Sequence, residues 1–259
     1  MSKSIFQRIG EWSSLVKFAH TIFALPFALI GFTIAVTLSE YSFSWVLLLQ
    51  VLGCMVFARN LAMGFNRYID RHIDKENPRT ANREIPSGVI SPSSALWFVV
   101  INGVLFVAVA YTIQPLCFYL SPVALLLLLG YSLAKRFTSW CHIILGLCLA
   151  IAPTAAYISV TGEFGASAAI LSVIVMLWTA GFDILYSLSD EEFDRSHNLH
   201  SIPQLFGKRG AFVISSLLHI AVAPLLVWLY FVGDFGVWYS RGGFLCGDVG
   251  VSTYNNISY

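Results

Sequence analysis

Long apolar runs alternate with short polar segments along most of this chain. Because unpaired backbone polar groups are costly in lipid, an apolar run of roughly 20 residues is expected to cross a membrane as one helix. Seven runs approach this length, near residues 14–38, 43–63, 94–113, 116–134, 141–161, 166–188 and 210–232. The pattern predicts an all-α fold, a polytopic transmembrane helical bundle with seven spans, in which residues 1–232 form one membrane domain.

The composition excludes a water-soluble fold. Of the 259 residues, 57% are hydrophobic and 11% are charged, and the mean hydropathy is +0.75. Soluble domains carry about 25% charged residues. The lipid bilayer is therefore an expected partner, and no nucleic-acid partner is expected.

The basic residues indicate how the bundle is oriented. Fourteen of the 15 Lys and Arg residues precede or open the first run, lie at the end of run two (Arg59), or lie between runs two and three, four and five, and six and seven. The alternate loops, around Glu40, Gln114 and Glu163, carry none. Since cytoplasmic loops are rich in Lys and Arg, this bias predicts a cytoplasmic N-terminus.

Residues 233–259 depart from the pattern. They contain no apolar run of roughly 20 residues, and they hold the one remaining basic residue, Arg241. For one choice of codons, a shift of one nucleotide would turn the peptide at 244–255 into an apolar helix ending in Tyr-Gln-His. We therefore expect an atypical C-terminal tail produced by a change of reading frame.

The first polar motif follows the second run. Asn66, Asp70 and Asp74 recur every four residues, and Arg59 lies seven residues before Asn66. On a helix, a four-residue step turns the side chain by only roughly 40°, so these groups would line one face. The spacing predicts a wall of oxygen ligands at the cytoplasmic end of the second span.

The second polar motif follows the sixth run. Asp190 and Asp194 repeat the four-residue spacing, and Asp183 lies seven residues before Asp190. On a continuous helix Asp183 would share that face about two turns deeper in the bilayer. A buried aspartate paired to a neighbouring helix is the alternative interpretation of Asp183.

Two opposed carboxylate sets favour a metal-bridged anion. An aspartate within a span costs about 2.5–3.5 kcal/mol on insertion scales, and facing carboxylates repel unless a cation neutralises them. Mg²⁺ prefers oxygen ligands and is commonly held by one or two carboxylates together with substrate phosphates. The sets predict a Mg²⁺-bridged diphosphate site, whereas either motif alone is also typical of a solvated, salt-bridged face.

A third polar cluster closes the fourth run. Tyr131 and Lys135 are four residues apart, and Arg136 follows directly. The cluster fits a diphosphate or another substrate anion. It also fits a positive-inside anchor of the fourth span.

Together these motifs resemble the UbiA superfamily of intramembrane aromatic prenyltransferases. The resemblance covers about residues 12–232. Within the superfamily, the chain is most similar to the 4-hydroxybenzoate polyprenyltransferase group and its menaquinone-pathway relatives. Its elements are Asn66-x3-Asp70-x3-Asp74, Asn77-Pro78-Arg79-Thr80, Arg83 to Gly88, Tyr131-x3-Lys135-Arg136, Asp190-x3-Asp194 and Leu199 to Gly207. Members usually have about nine spans, more than this sequence supplies.

The resemblance implies helices around a central cavity that holds a polyprenyl diphosphate. Mg²⁺ would be the cofactor, and the residues that would hold the diphosphate through it are Asn66, Asp70, Asp74, Asp190 and Asp194. The phosphate oxygens would contact Lys135 and Arg136, and Arg79 and Tyr131 would also bind substrate. Asp183 and Arg59 would place or activate an aromatic acceptor.

The implied function is Mg²⁺-dependent transfer of a polyprenyl group to an acceptor such as 4-hydroxybenzoate, in ubiquinone or menaquinone biosynthesis at the bacterial inner membrane. Prenylation of haem or of another acceptor of the superfamily remains open. A cation-coupled transporter and an inactive membrane scaffold are alternatives from other classes. Transporter sites, however, lie near the midplane at broken helices, whereas most of these carboxylates lie at one rim.

Overall fold

The structure is a computed structural model that describes residues 5–16, 18–38 and 41–233, with the backbone alone at 5–9 and 18–23. Within these residues it is all helical. The α-helices are α1 (Ile5–Leu15), α2 (Phe18–Leu38), α3 (Trp45–Ile69), α4 (Arg71–Glu76), α5 (Pro92–Ile113), α6 (Pro115–Ala134), α7 (Cys141–Thr161), α8 (Ala166–Tyr186), α9 (Glu191–Ser196) and α10 (Ile202–Gly233). The tail that the sequence marks as atypical, with its expected change of reading frame, lies outside the described residues from position 234 onward.

Six described helices are long and apolar enough to cross a membrane: α3, α5, α6, α7, α8 continuing through α9, and α10. The part of α2 from Ala24 to Leu38 is apolar but shorter. The protein is therefore an integral membrane helical bundle. The first run predicted from the sequence is interrupted, because α1 ends at Leu15 and α2 begins at Phe18.

The middle of the bundle is built around α7, which packs against α2, α6 and α8. Helix α8 also packs against α10, and α3 packs against α2, α5 and α6. The largest apolar cluster joins α2, α8 and α10 through buried side chains such as Ile34, Val175 and Leu229. A second cluster joins α2, α3 and α7 around Phe32.

Small residues bring helices close where α7 meets its neighbours. A Cβ atom on Gly146 of α7 would lie 2.4 Å from the carbonyl oxygen of Met176 on α8. One on Gly31 of α2 would lie 2.3 Å from the carbonyl oxygen of Pro153 on α7. Helices in membranes often pack this way, because lipid supplies no hydrophobic force between them and contact must come from close van der Waals packing.

Short elements join the spans at the end where the two aspartate motifs lie. Helix α4 and the turns that follow it connect α3 to α5, and a 3₁₀ turn, Ser187–Asp190, and α9 connect α8 to α10. Gly207 has φ 68° inside α10, a left-handed conformation that produces a kink. The polar segments between the second and third runs and between the sixth and seventh runs are thus partly helical.

Candidate active site

The helices surround a cavity of about 740 Å³. Most of its wall is aliphatic, and its ionisable and amide side chains come from the last turns of α3, α6 and α8 and from the connection after α4. These side chains are Arg59, Asn66, Arg67, Arg83, Tyr131, Asp183 and Tyr186; three cysteines, Cys54, Cys117 and Cys148, also line the cavity. The cavity is therefore apolar along its length and polar at the end where the aspartate motifs lie.

The first motif lies where α3 ends. Asp70 is the residue between α3 and α4, with φ −90° and ψ 4°. The backbone hydrogen bonds Asp70 N to Asn66 O (3.0 Å) and Asp74 N to Asp70 O (2.7 Å) nevertheless continue the helical turn. The Asn66 amide also donates to Asp70 Oδ2 over 3.1 Å. The predicted helix that carries Asn66, Asp70 and Asp74 is therefore present, but it is interrupted at Asp70.

Both carboxylates of this motif are paired to basic side chains from elsewhere in the chain. Arg136 Nη2 lies 3.1 Å from Asp70 Oδ1 and donates to the Ile69 carbonyl oxygen over 2.9 Å. Arg83 Nη1 lies 2.7 Å from Asp74 Oδ1. Asp74 Oδ2 is buried without a hydrogen-bond partner in the described residues. Asp74 thus keeps one oxygen uncompensated.

The second motif follows α8 through a 3₁₀ turn and α9 instead of continuing it as one regular α-helix. The helix ends at Tyr186, and the 3₁₀ turn separates Asp183 from Asp190. Asp190 accepts two hydrogen bonds from Arg79, from Nε over 2.9 Å and from Nη2 over 2.6 Å. The prediction of a regular α-helix from Asp183 to Asp190 was wrong, because Ser187–Asp190 form a 3₁₀ turn with three residues per turn instead of 3.6.

The remaining carboxylate of the second motif pairs with the third cluster. Lys135 Nζ lies 2.6 Å from Asp194 Oδ1. Since the next residue, Arg136, binds Asp70, two consecutive basic residues connect the two aspartate motifs. The backbone N–H of His200 also donates to the Lys135 carbonyl oxygen over 2.8 Å. Each of the four motif aspartates is therefore paired with one basic side chain from outside its own helix or turn.

The four motif aspartates are more buried than residues at a solvent-exposed edge of the bundle would be. Asp194 is fully buried and Asp74 is 5% exposed, whereas the side chains of Asp70 and Asp190 are 24% and 12% exposed. Because a buried ion pair loses its solvation, each of these pairs depends on close geometry.

The pKa values reflect this setting. Burial raises the pKa of Asp70 above its ordinary value, and the hydrogen bond from Arg136 offsets only part of the rise. Burial alone would lower the pKa of Arg79, but the hydrogen bonds and charge of Asp190 outweigh it and raise that pKa. Asp70 is thus a carboxylate whose charge a further cation would stabilise.

A metal ion fits this end of the bundle only together with a ligand that supplies further oxygens. Within the described residues, no three or more His, Cys, Asp and Glu side chains are close enough to hold a metal ion by themselves. The available donors are carboxylate and amide oxygens, which Mg²⁺ prefers, and Mg²⁺ commonly completes its shell with phosphate oxygens and water. The unpartnered Asp74 Oδ2 and the raised pKa of Asp70 indicate unsatisfied anionic groups.

Deeper in the cavity, Asp183 belongs to the same polar lining as Arg59 and Tyr131. Arg59 Nε is buried without a hydrogen-bond partner in the described residues. Asp183 Oδ2 lies 2.7 Å from Nδ1 of His142 on α7. The alternative considered for Asp183, a pair with a neighbouring helix, is what the structure contains, although the carboxylate also lines the cavity.

Three residues at the site were not among the predicted site residues. Arg83 pairs with Asp74, His142 pairs with Asp183, and Arg67 lines the cavity while only 3% exposed. Arg67 Nε and Nη1 have no hydrogen-bond partner in the part of the chain that is described. Arg67 lies next to Asn66 inside α3, which extends six residues beyond the end predicted for the second run at residue 63. No sequence signal distinguishes His142 from an ordinary core residue.

Comparison with known proteins places this arrangement in one family. Residues 24–252 match the UbiA prenyltransferase family. A protein of Aliivibrio fischeri strain MJ11 named 4-hydroxybenzoate octaprenyltransferase is 34% identical over 182 residues, 70% of this chain and 63% of that protein. One of the same name from Ectopseudomonas mendocina is 31% identical over 86% of this chain and 71% of its own length. The match to the first relative thus spans less than two thirds of its length.

Solved structures share the fold. The apo structure of a UbiA homologue from Aeropyrum pernix K1 has a TM-score of 0.81 and 31% identity, covering 88% of this chain and 84% of that one. A UbiA homologue from Archaeoglobus fulgidus, solved with DMAPP and Mg²⁺, has a TM-score of 0.74 and 22% identity, covering 91% and 82%.

Proposed function

The chain belongs to the UbiA prenyltransferase family, and from this premise we propose that it transfers a polyprenyl group from a polyprenyl diphosphate to an aromatic acceptor such as 4-hydroxybenzoate. The observation that carries the proposal is the position of four aspartates, in two motifs joined by Lys135 and Arg136, at the polar end of an apolar cavity. The apolar length of the cavity suits a prenyl chain. The relatives named 4-hydroxybenzoate octaprenyltransferase support a role in quinone biosynthesis, at the bacterial inner membrane.

The transfer exchanges one bond for another. The bond between the allylic carbon and the diphosphate oxygen breaks, and its electron pair leaves with the diphosphate. A carbon of the acceptor ring forms the new bond to the allylic carbon, and the proton on that ring carbon is released. Negative charge develops on the departing diphosphate, so cationic groups beside it lower the barrier.

The Mg²⁺ would be held by Asn66, Asp70, Asp74, Asp190 and Asp194, and when bound it would neutralise the charge of the departing diphosphate. The basic partners of these aspartates would then be free to bind the diphosphate instead. We expect Arg79, Arg83, Lys135 and Arg136 to exchange carboxylate oxygens for phosphate oxygens, which have the same bidentate geometry for arginine. Without substrate, the ion pairs keep the carboxylates from repelling each other.

Acceptor recognition is proposed for the deeper polar groups. Arg59, whose Nε has no partner in the described residues, would bind an acidic group of the acceptor. The Asp183 carboxylate would accept a hydrogen bond from the phenolic hydroxyl, which raises the electron density of the ring. Tyr131 lies beside Arg59 on the neighbouring helix and would help to orient it.

Membranes that contain the protein test the proposal. They would be incubated with a labelled polyprenyl diphosphate and 4-hydroxybenzoate, with Mg²⁺ or with EDTA. We expect a prenylated lipid product with Mg²⁺, none with EDTA, and recovery when excess Mg²⁺ is added back. Absence of a product with any phenolic acceptor, while the diphosphate still binds, would contradict the proposed transfer.

A further inference from the structure

His142 lies directly behind a cavity carboxylate. It is the second residue of α7 and is only 2% exposed. Its Nδ1 lies 2.7 Å from Oδ2 of Asp183 on α8. Its Nε2 accepts a hydrogen bond, over 3.3 Å, from the backbone N–H of Ile202, the first residue of α10. The imidazole ring therefore bridges three helices.

These two contacts indicate which ring nitrogen carries the proton. Because the Ile202 N–H is a donor, Nε2 must be the unprotonated nitrogen of the ring. The proton of the neutral imidazole then lies on Nδ1, which donates to Asp183 Oδ2. Both ring nitrogens are satisfied, and their partners determine the orientation of the ring.

Asp183 is held on one side and free on the other. Its side chain is 29% exposed and lines the cavity. While Oδ2 is bonded to His142, Oδ1 has no hydrogen-bond partner among the described residues. One turn deeper, Thr179 also lines the cavity, and its Oγ1 has no partner in that part of the chain either. The face of α8 that lines the cavity thus carries a partly exposed carboxylate oxygen without a partner, and an unpartnered hydroxyl is buried one turn deeper.

We propose that His142 is a positioning residue for a phenolic acceptor, acting through Asp183. By holding Oδ2, it keeps Oδ1 directed into the cavity, where Oδ1 accepts a hydrogen bond from the phenolic hydroxyl. The inference rests on the proposed prenyl transfer and adds to it the residue that orients the acceptor-binding carboxylate. A carboxylate without this partner would rotate about its side-chain bonds and lose the fixed direction of its free oxygen.

A purely structural histidine would behave differently. A buried imidazole with both nitrogens bonded also stabilises the contact between α7, α8 and α10. Its removal would then disturb both substrates alike and would do so whether or not Asp183 is present. A positioning residue affects the acceptor alone, and only while the carboxylate is there.

The test compares five proteins in the membrane assay. They are the wild type, the single variants His142→Leu, His142→Gln and Asp183→Ala, and the double variant His142→Leu/Asp183→Ala. Glutamine keeps one donor for Asp183 and one acceptor for Ile202, whereas leucine keeps neither. The Michaelis constants for acceptor and for prenyl diphosphate are measured separately. We expect His142→Leu to lower kcat/KM for the acceptor by about tenfold or more, the scale of a lost hydrogen bond to a charged group.

The remaining variants separate the two roles. His142→Gln is expected to stay within about threefold of the wild type, and the diphosphate KM is expected to stay unchanged in both single His142 variants. In a protein that already carries Asp183→Ala, His142→Leu should cause little further loss of kcat/KM for the acceptor, because His142 acts through the Asp183 carboxylate.

Three results would overturn the inference. They are wild-type kinetics for His142→Leu, an equal loss for both substrates, or full additivity with Asp183→Ala. A wild-type protein that binds prenyl diphosphate but prenylates no phenol would instead contradict the proposed function itself.

Discussion

At the scale of single residues, each motif aspartate is paired with a basic side chain for which the proposed diphosphate would compete. Asp190 is bound by both ends of the Arg79 guanidinium, and Asp70 shares Arg136 with a backbone carbonyl. Each arginine can transfer to a phosphate without leaving the site. The aspartates are thus neutral pairs in this structure and ligands in the proposed complex.

Removing the charge of Asp70 or Asp190 is expected to abolish most of the activity. Asp70→Asn and Asp190→Asn keep the side-chain volume but lose the charge that attracts a metal ion, and we expect kcat/KM to fall by about a hundredfold or more. Glu192→Gln is the matched control, because Glu192 lies in the same segment and is exposed. Near-wild-type turnover of both Asn variants at saturating Mg²⁺ would exclude these aspartates from the metal site.

Arg67 is expected to matter for activity more than for stability. Its guanidinium is buried beside the cavity with two unpartnered nitrogens in the described residues, and burial of such donors is costly without a ligand. Arg67→Met should therefore unfold at the same or a higher temperature, while its KM for prenyl diphosphate rises by about tenfold. Lys75→Met, which removes an exposed charge from α4, serves as control. A lower unfolding temperature with unchanged KM would indicate a structural arginine.

At the scale of helices, α7 determines how closely the walls of the cavity approach each other. It meets α2 where Gly31 faces Pro153, and it meets α8 where Gly146 faces Met176. In both places the nearest atom is a backbone oxygen, which cannot move without the whole helix. The aspartate and histidine that α8 and α7 bring together depend on the same contact.

A methyl group at position 146 should separate α7 from α8. We expect Gly146→Ala to destabilise the protein by about 1–3 kcal/mol, the usual cost of overpacking, and to weaken activity because His142 and Asp183 lie across the same interface. Gly130→Ala on α6 is the control, since nothing lies within 4 Å of the added atom. Thermal unfolding in detergent measures both. Equal unfolding temperatures for the two variants would contradict the close packing of α7 on α8.

At the scale of the whole molecule, the polar ends of α3, α6 and α8 lie on one side of the bundle. The ion pairs between Arg79 and Asp190 and between Lys135 and Asp194 can form only if these ends are on the same face of the membrane. The basic residues of the sequence concentrate in the same connections. Charge bias and tertiary contacts therefore agree on which connections lie together.

Orientation in the membrane can be tested with single cysteines. Position 196 follows the second aspartate motif, position 163 lies in the opposite connection, and both residues are exposed. After replacement of the native cysteines, an impermeant maleimide added outside intact cells should label Glu163→Cys but not Ser196→Cys, since basic loops remain in the cytoplasm. Labelling of position 196 alone would reverse the predicted orientation.

The sequence by itself determined the class of fold and the positions of the spans. The run predicted at 141–161 has the same bounds as α7, because a membrane helix needs about 20 apolar residues whatever surrounds it. It also located the aspartate motifs, because charged side chains are conspicuous in so apolar a chain. It missed the break between α1 and α2 and the 3₁₀ turn after Tyr186, since the few polar residues at these places do not distinguish a break from a continuous helix.

Only the tertiary structure decided which acidic side chain pairs with which basic side chain. Arg79 and Asp190 are 111 residues apart, and His142 and Asp183 are 41 apart. Local spacing describes neighbours within a turn or two of one helix, whereas these pairs depend on how separate helices pack. For the same reason the burial of Asp194 and the unpartnered nitrogens of Arg67 had no signal in the sequence. Desolvation is a property of the surroundings, and those exist only once the bundle has formed.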